Sequence, residues 1–258
     1  MERNTVVCAD ALDWIKGLPD GSVDVFWSSP PYNLGDRFRG GNTQTHRVDR
    51  GAMIYAGTAG KGDGSLIPEP AYQAEQMAVL AEWHRCLAPD GVAFYNHKVR
   101  IKGGRAISPV SWLERTPFVL LQELVWDRGG TANVDDRRFL PVSERIYVLA
   151  KRPGLKLHNR ERYPDVLRFA PSHHKRAESG HPCPTHPVVV HACLSAVARP
   201  AGRRLLVADC YMGSGTTAAV ARGLFMDYVG CDRSPEYVEL ARRNLGGATQ
   251  PSLLEAAG

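Results

Sequence analysis

The 258-residue chain has no run approaching the ~18 consecutive apolar residues of a membrane span, and no apolar stretch after Met1 long enough for a signal-peptide core. Both absences predict a cytoplasmic protein without a membrane partner. Its six cysteines, at positions 8, 86, 183, 193, 210 and 231, include no CxxC pair and no compact spacing, which excludes a disulfide framework and a four-cysteine zinc site. The one metal-like cluster, His181, Cys183, His186, His191 and Cys193, is broken by prolines and matches no zinc-ligand spacing. No metal is predicted. There is no internal repeat, and with 43% apolar and 23% charged residues the composition has none of the bias of disordered or collagenous chains.

What is present fits one sizeable α/β core, alone or with a small appendage. The net charge of +5 is mild, but its distribution is uneven. Between Arg128 and Arg176 twelve Lys/Arg face five Asp/Glu, a local +7 that exceeds the excess of the whole chain. A polyanion is the partner such a segment suits, although alone it is as well explained as a solvated face.

Strand and helix signals alternate along the chain. Strands are expected at Thr5 to Cys8, Val23 to Trp27, Val92 to Tyr95, Phe118 to Trp126, Arg145 to Ala150, Arg204 to Ala208 and Asp227 to Cys231. Helices are expected from Asp10 to Ile15, Pro70 to Leu87, around Ser108 to Arg115, through Val190, Cys193, Leu194 and Val197, from Thr216 to Gly223, and from Ser234 until Gly246-Gly247 stops it. Leu34 to Ile67, with eight of the 25 glycines, has little periodicity and reads as a functional or disordered loop. The proline-punctuated Lys151 to Pro187 segment reads as an insertion outside the central sheet.

Two local patterns carry chemistry. Asp209-Cys210-Tyr211-Met212-Gly213-Ser214-Gly215-Thr216-Thr217-Ala218 lies between a strand and a helix, and Gly213, Gly215 and Ala218 keep the G-x-G-x-x-G/A spacing that brings backbone close to a ligand at a helix N-terminus. Asp232, at the end of the next strand, is placed to accept both hydroxyls of a ribose. No lysine follows Gly215, so the phosphate-binding P-loop is excluded. The unit suits a nucleoside-bearing cofactor.

The second pattern is Ser28-Ser29-Pro30-Pro31-Tyr32-Asn33, where a strand runs out at the carboxyl edge of the sheet. Two prolines remove two backbone donors and leave carbonyls that can only accept. With a serine oxygen before them and an aromatic face after them, they suit a planar base bearing an amino group.

Here the sequence resembles the S-adenosylmethionine-dependent DNA amino-methyltransferases, whose signature is Asp, Asn or Ser followed by Pro-Pro-Tyr or Pro-Pro-Phe. Asp209 to Thr217 resembles that family's cofactor motif, commonly Asp-Pro-Phe-x-Gly-Ser-Gly-Thr-Thr, with Cys210 and Tyr211 in place of Pro-Phe. Ser29 precedes Gly213, which resembles the permuted order called the β class. Asp10-Ala11-Leu12 resembles the family's Asp-Ala-Leu, whose carboxylate meets the cofactor adenine, and an N-cap role for Asp10 is compatible with that. His181-Pro182 with Pro187 resembles its His-Pro-x-x-Lys-Pro, one residue longer and with His186 where lysine is usual. The likeness spans Val6 to Leu245 in outline, leaving the loop 34–67 and the segment 152–180 unmatched.

The resemblance implies a Rossmann-like methyltransferase fold: a mostly parallel central sheet flanked by helices, with a small inserted DNA-recognition region. Residues 1–150 would form the catalytic half, 151–186 the target-recognition insertion, 187–247 the cofactor-binding half and 248–258 a tail. The implied catalytic residues are Ser29, Pro30, Pro31 and Tyr32. Asp10, Ala11, Asp209, Tyr211, Gly213, Ser214, Gly215, Thr216, Thr217 and Asp232 would bind S-adenosylmethionine, with S-adenosylhomocysteine as product and no metal. Arg160, Arg162, His173, His174, Lys175 and Arg176 are the candidates for phosphate or groove contacts on double-stranded DNA.

Serine at the first motif position points, within the resemblance, to the 4-amino group of cytosine, and aspartate there to the 6-amino group of adenine. Adenine-N6 methylation is the alternative, and a non-catalytic DNA-binding protein that retains the cofactor fold is a third reading. An RNA or protein methyltransferase conflicts with the motif order. A homodimer and a companion restriction endonuclease are both compatible with the resemblance, and the sequence specifies neither.

Overall fold

The computed structural model describes residues 1–33, 67–131, 138–170, 185–197 and 202–246. Most of the glycine-rich loop, the tail and His173, His174, Lys175, Arg176, His181 and Cys183 lie outside the described residues. In chain order the elements are β1 (Thr5–Cys8), α1 (Ala11–Lys16), β2 (Val23–Ser28), α2 (Glu69–Cys86), β3 (Leu87–His97), β4 (Arg100–Lys102), β5 (Arg105–Ile107), α3 (Val110–Leu113), β6 (Val119–Asp127), β7 (Ser143–Ala150) and β8 (Val166–Arg168). They continue with α4 (Pro187–Ser195), β9 (Leu206–Asp209), α5 (Thr216–Gly223), β10 (Asp227–Asp232) and α6 (Pro235–Gly246).

Eight strands form one sheet in the order β1-β10-β9-β2-β3-β7-β6-β8. β7 runs antiparallel to both its neighbours and the remaining pairs are parallel, so β1, β2, β3, β9 and β10 all end at the same edge and β7 begins there. We refer to it as the carboxyl edge. This is the mostly parallel, helix-flanked α/β sheet expected from the sequence.

Strand alternation feeds both faces. Val25 and Trp27 of β2 with Val92 and Phe94 of β3 join the core that includes Val189, Val190, Cys193 and Leu194 of α4, Val220 of α5 and Val238 of α6. Phe26, Ala93 and Tyr95 point the other way, into the core under Ile15 of α1, Trp83 of α2 and Trp112 of α3. Both cores are aromatic-rich, and Phe26 stacks on Trp83 at 4.8 Å. The pattern expected for α4 holds, since Val190, Cys193, Leu194 and Val197 are all buried.

Three expectations need correction. Helical spacing predicts that Met77, Leu80, Ala81 and Leu87 share the inner face of α2, whereas its buried face comprises Tyr72, Gln76, Val79, Leu80, Trp83 and Cys86 and Ala81 is exposed. A polar Gln76 sits in that stripe because it accepts from the Tyr95 hydroxyl at 2.9 Å, which broke the apolar period. Second, Pro89-Asp90-Gly91 reads in the sequence as a turn leading into the strand at Val92, but it lies inside β3, at the register shift between Val23↔Leu87 and Val25↔Val92. Third, the segment after Lys151 does not stay outside the sheet: β8 pairs in parallel with β6 from Val125↔Val166 to Asp127↔Arg168. Three residues are too few for an alternating pattern to register. The β4–β5 hairpin went unread for the same reason.

Candidate active site

The two motifs meet at the carboxyl edge, where β2 and β9 lie side by side. The contact that joins them is a buried hydrogen bond: the Ser28 hydroxyl donates to Asp209 Oδ1 at 2.6 Å across 181 residues of sequence. Asp209 also accepts from the Thr217 hydroxyl at 2.6 Å and from the Tyr211 backbone N–H at 2.9 Å. One carboxylate therefore ties the strand end behind Ser29, the turn and the first helical residues together. Burial of this charge, opposed by those hydrogen bonds, pushes the Asp209 carboxyl up to about 6. Asp209 and Thr217 thus face inward and shape the turn.

The rest of the turn faces the edge. Gly213 and Gly215 adopt φ of +52° and +87°, values that side chains resist, and Gly215 precedes α5 without a side-chain cap. A Cβ at Gly215 would come within 3.2 Å of Ala241, so glycine there also allows α6 to pack on the turn. Ser214 is buried with its carbonyl held by Asn244 at 2.9 Å, and Thr216 is half-buried beside it. Gly230 in β10 is a second close approach that the motif does not announce. Its Cβ would fall 2.1 Å from Met212 Cε and 2.5 Å from the Asp209 carbonyl.

Asp232 ends β10. Its Oδ2 accepts from Gly213 N–H at 2.9 Å and its Oδ1 from Ser234 N–H at 3.0 Å. Each oxygen has a further lone pair, so the carboxylate can take two ribose hydroxyls without giving up either backbone bond. Burial raises its pKa, with the two N–H groups opposing. Asp10 follows the end of the neighbouring strand β1, where Ala9 N–H donates to the Asp232 carbonyl at 3.1 Å. It is exposed and caps α1 through one oxygen, accepting from Leu12 N–H at 2.9 Å, while Ala11 is buried behind it. The structure thus gathers Asp10, Gly213, Ser214, Gly215, Thr216 and Asp232 along the ends of β1, β10 and β9, and the donor and acceptor set fits a nucleoside.

On the other side of the switch between β9 and β2 lies Ser29-Pro30-Pro31-Tyr32. The Tyr32 hydroxyl is 2.9 Å from Ser29 Oγ, 3.1 Å from Asn96 Oδ1 and 3.0 Å from Glu144 Oε2. A phenol has one hydrogen, so the two acceptors share it and the Tyr32 oxygen can take the Ser29 hydrogen. The Ser29 lone pairs are then free to accept. Glu144 is buried at 5% exposure and fixed by Arg128 at 2.6 Å, whose guanidinium also lies over the Trp126 ring. The Tyr72 hydroxyl lies 2.7 Å from both the Pro31 carbonyl and His97 Nε2, two acceptors that share its one hydrogen. Beneath it His97 is fully buried, donates from Nδ1 to the Lys98 carbonyl, and stays neutral because burial and then Arg100 hold its pKa down at about 3. The Tyr32 ring rests against this imidazole at 4.7 Å.

Asn96, His97, Glu144, Arg128 and Tyr72 had not been singled out as site residues. Each belongs to an element whose sequence reads as ordinary core or surface, and none lies in a local motif. Arg160 and Arg162 are exposed, but the structure does not bring them to the carboxyl edge. Their segment starts at the opposite edge, where Arg152 pairs with Asp90 and His158 N–H meets the Ala196 carbonyl, and reaches the carboxyl edge only at Arg168 to Ala170. Within the +7 stretch Arg128, Arg145, Arg152 and Arg168 are paired with Glu144, Glu123, Asp90 and Asp127. The two described histidines of the metal-like cluster serve elsewhere: His186 caps α4 by accepting from Val188 N–H and stacks on Phe169, and His191 contacts Tyr163. Among the described residues no group of three His, Cys, Asp or Glu is arranged to hold a metal, and no helix is long and apolar enough to cross a membrane.

The sequence profile of a DNA methylase family, the N6/N4 type, matches residues 23–243. The chain belongs to the N6/N4 DNA methylase family. This methylase is 23% identical to the type II methyltransferase M.BglII of Bacillus subtilis over 95% of this chain and 69% of that protein. It is also 23% identical to M.ScaI of Streptomyces caespitosus over 93% and 81%. Among solved structures, the cytosine-N4-specific PvuII DNA methyltransferase superposes with a TM-score of 0.72 at 15% identity, covering 100% of this chain and 91% of that one. M1.HpyAVI in complex with SAM gives 0.62 at 17%, covering 93% and 98%. The methylase therefore has the fold of S-adenosylmethionine-dependent methyltransferases.

Proposed function

We propose that this chain transfers a methyl group from S-adenosylmethionine to the exocyclic 4-amino group of cytosine in double-stranded DNA. The observation that carries the reading is the Ser28–Asp209 hydrogen bond, which sets an acceptor-rich Ser-Pro-Pro-Tyr element directly beside a turn built for a nucleoside. Asp232 would take the ribose, Asp10 the adenine amino group, and Gly213 to Thr216 the rest of the cofactor. The cofactor supplies an electrophilic methyl on a sulfonium sulfur. Ser29 before Gly213 is the β-class order, and serine ahead of Pro-Pro-Tyr favours cytosine over adenine.

The chemistry asked of the protein is positional. The lone pair of an exocyclic amino nitrogen is delocalised into its ring and is a poor nucleophile. Ser29 Oγ and the Pro30 carbonyl would accept its two hydrogens and favour a pyramidal nitrogen with its lone pair directed at the methyl. Tyr32 orients the Ser29 hydroxyl, and Tyr72 engages the neighbouring Pro31 carbonyl, not that of Pro30. Loss of the delocalised pair is compensated at the transition state by geometry fixed beforehand. A duplex hides the amino group, so the base must leave the stack. DNA from cells expressing the chain, sequenced with modification detection, is expected to carry 4-methylcytosine at one recurring sequence that disappears with Ser29→Ala; unmodified DNA in both cases would refute the reading.

The structure also bears on the alternatives. A non-catalytic DNA-binding protein has no use for a serine hydroxyl held by a Tyr–Glu–Arg chain anchored on the buried Glu144, and adenine-N6 methylation would use the same groups on a larger ring. We take DNA as the partner. Residues 151–186, and within them His173 to Arg176, remain the proposed target-recognition stretch because Ala170 leaves from the carboxyl edge.

A further inference from the structure

A base that leaves the stack leaves a gap, and its former partner loses both its pair and a neighbour; proteins that open duplexes commonly fill such gaps with an apolar side chain. Among the described residues the exposed large apolar side chains are Met1, Ile101, Leu120, Phe139, Leu140 and Phe225. Leu120 and Phe225 stand at the edge opposite the active site, near the beginnings of β6 and β10. Ile101, on the β4–β5 hairpin beyond β3, is 40% exposed. Phe139 is 99% exposed, with Leu140 beside it at 51%, in the connection from β6 to β7 that crosses the carboxyl edge. An entire phenyl ring in water at that place is costly and meets no partner among the described residues.

The base of this connection is built into the active site. Arg128 N–H donates to the Val142 carbonyl at 2.9 Å and closes the stem, and Val142 N–H donates to the Leu140 carbonyl at 2.9 Å. The Arg128 side chain then holds Glu144, which contacts the Tyr32 hydroxyl. Pro141 disfavours helical backbone at Leu140, and Phe139 beyond it is fully exposed. Phe139 lies five positions before Glu144, at most about 18 Å of chain.

We propose that Phe139, backed by Leu140, is the wedge that enters the base stack of the DNA duplex at the opened pair and keeps the target base in the active site. The proposal rests on the DNA-methylating reading above. It assigns the segment a task separate from chemistry: the ring replaces the stacking of the departed base and does not touch the reacting atoms.

The test compares two synthetic duplexes carrying the sequence that the chain methylates, one fully paired and one with the target base mispaired, which is already partly out of the stack. Phe139→Ala should lower kcat/KM at least tenfold on the paired duplex and less than twofold on the mispaired one, with Phe139→Trp near wild type on both. An equal loss on both duplexes, or no loss on either, would overturn the wedge. Phe139→Ala that alters the sedimentation of the protein with an unchanged ratio between duplexes would place the ring between copies of the chain, and also overturns it. Wild-type protein that methylates neither duplex would instead overturn the activity on which the proposal rests.

Discussion

Ser29 is the residue on which the proposed chemistry turns, and its surroundings show how little of that was visible locally. Its hydroxyl is set by Tyr32, which is set by Asn96 and Glu144 from two other strands. The tetrapeptide was legible because its residues are adjacent, whereas the groups that orient it come from β3 and β7 and carry no local signature. Ser29→Ala should slow methyl transfer roughly 100-fold, as for loss of one oriented hydrogen-bonding group in a dry site, while leaving cofactor affinity unchanged. Single-turnover rates together with calorimetric titration of S-adenosylmethionine separate the two. Asp232→Ala should do the reverse, weakening the cofactor by about 1 to 3 kcal/mol through the lost hydrogen bonds to a charged group; an unaltered affinity in the same titration would remove Asp232 from the site.

At the scale of elements, long periodic segments were read nearly to their ends. Thr216–Gly223 was read as observed, because Gly215 marks its start and Gly223 its last residue. The short pieces, β4, β5 and β8, were not read, since three residues cannot display a period. Contact between elements was also hidden: nothing in the sequence of β10 says that Gly230 must let Met212 and Asp209 approach. Gly230→Ala places a methyl against a backbone carbonyl that cannot move without shifting the cofactor turn. A loss of roughly 1 to 3 kcal/mol in stability is expected, seen as a lower denaturation midpoint, with a weaker cofactor affinity alongside. A variant as stable as wild type would show that β10 and the turn are less tightly joined than described.

For the whole molecule, the central feature is that strand ends converge at one edge, with Asp209 as the buried link. Its carboxyl holds its proton more tightly when folded, about 6 against an ordinary 3.8, so the folded state binds more protons than the unfolded one in that interval. Stability from this group therefore falls as pH rises from about 4 to about 6 and stays at its lower level above, by roughly 3 kcal/mol in all. Asp209→Asn, whose oxygen can keep the Tyr211 and Ser28 donors while its amide nitrogen faces the Thr217 hydroxyl, should flatten that part of the profile in pH-dependent denaturation. A slope shared by both proteins would assign it to other groups.

The most direct measurement on the molecule as a whole is of its product. Purified protein is incubated with S-adenosylmethionine and DNA that lacks modification, the DNA is digested to nucleosides, and the methylated species is identified by mass spectrometry. Methyl on the 4-amino group of cytosine is the predicted result. Methyl on the 6-amino group of adenine would keep the site and the mechanism and contradict the serine argument for cytosine, and methyl on a ring carbon of cytosine, or none at all, would contradict the account of the site itself.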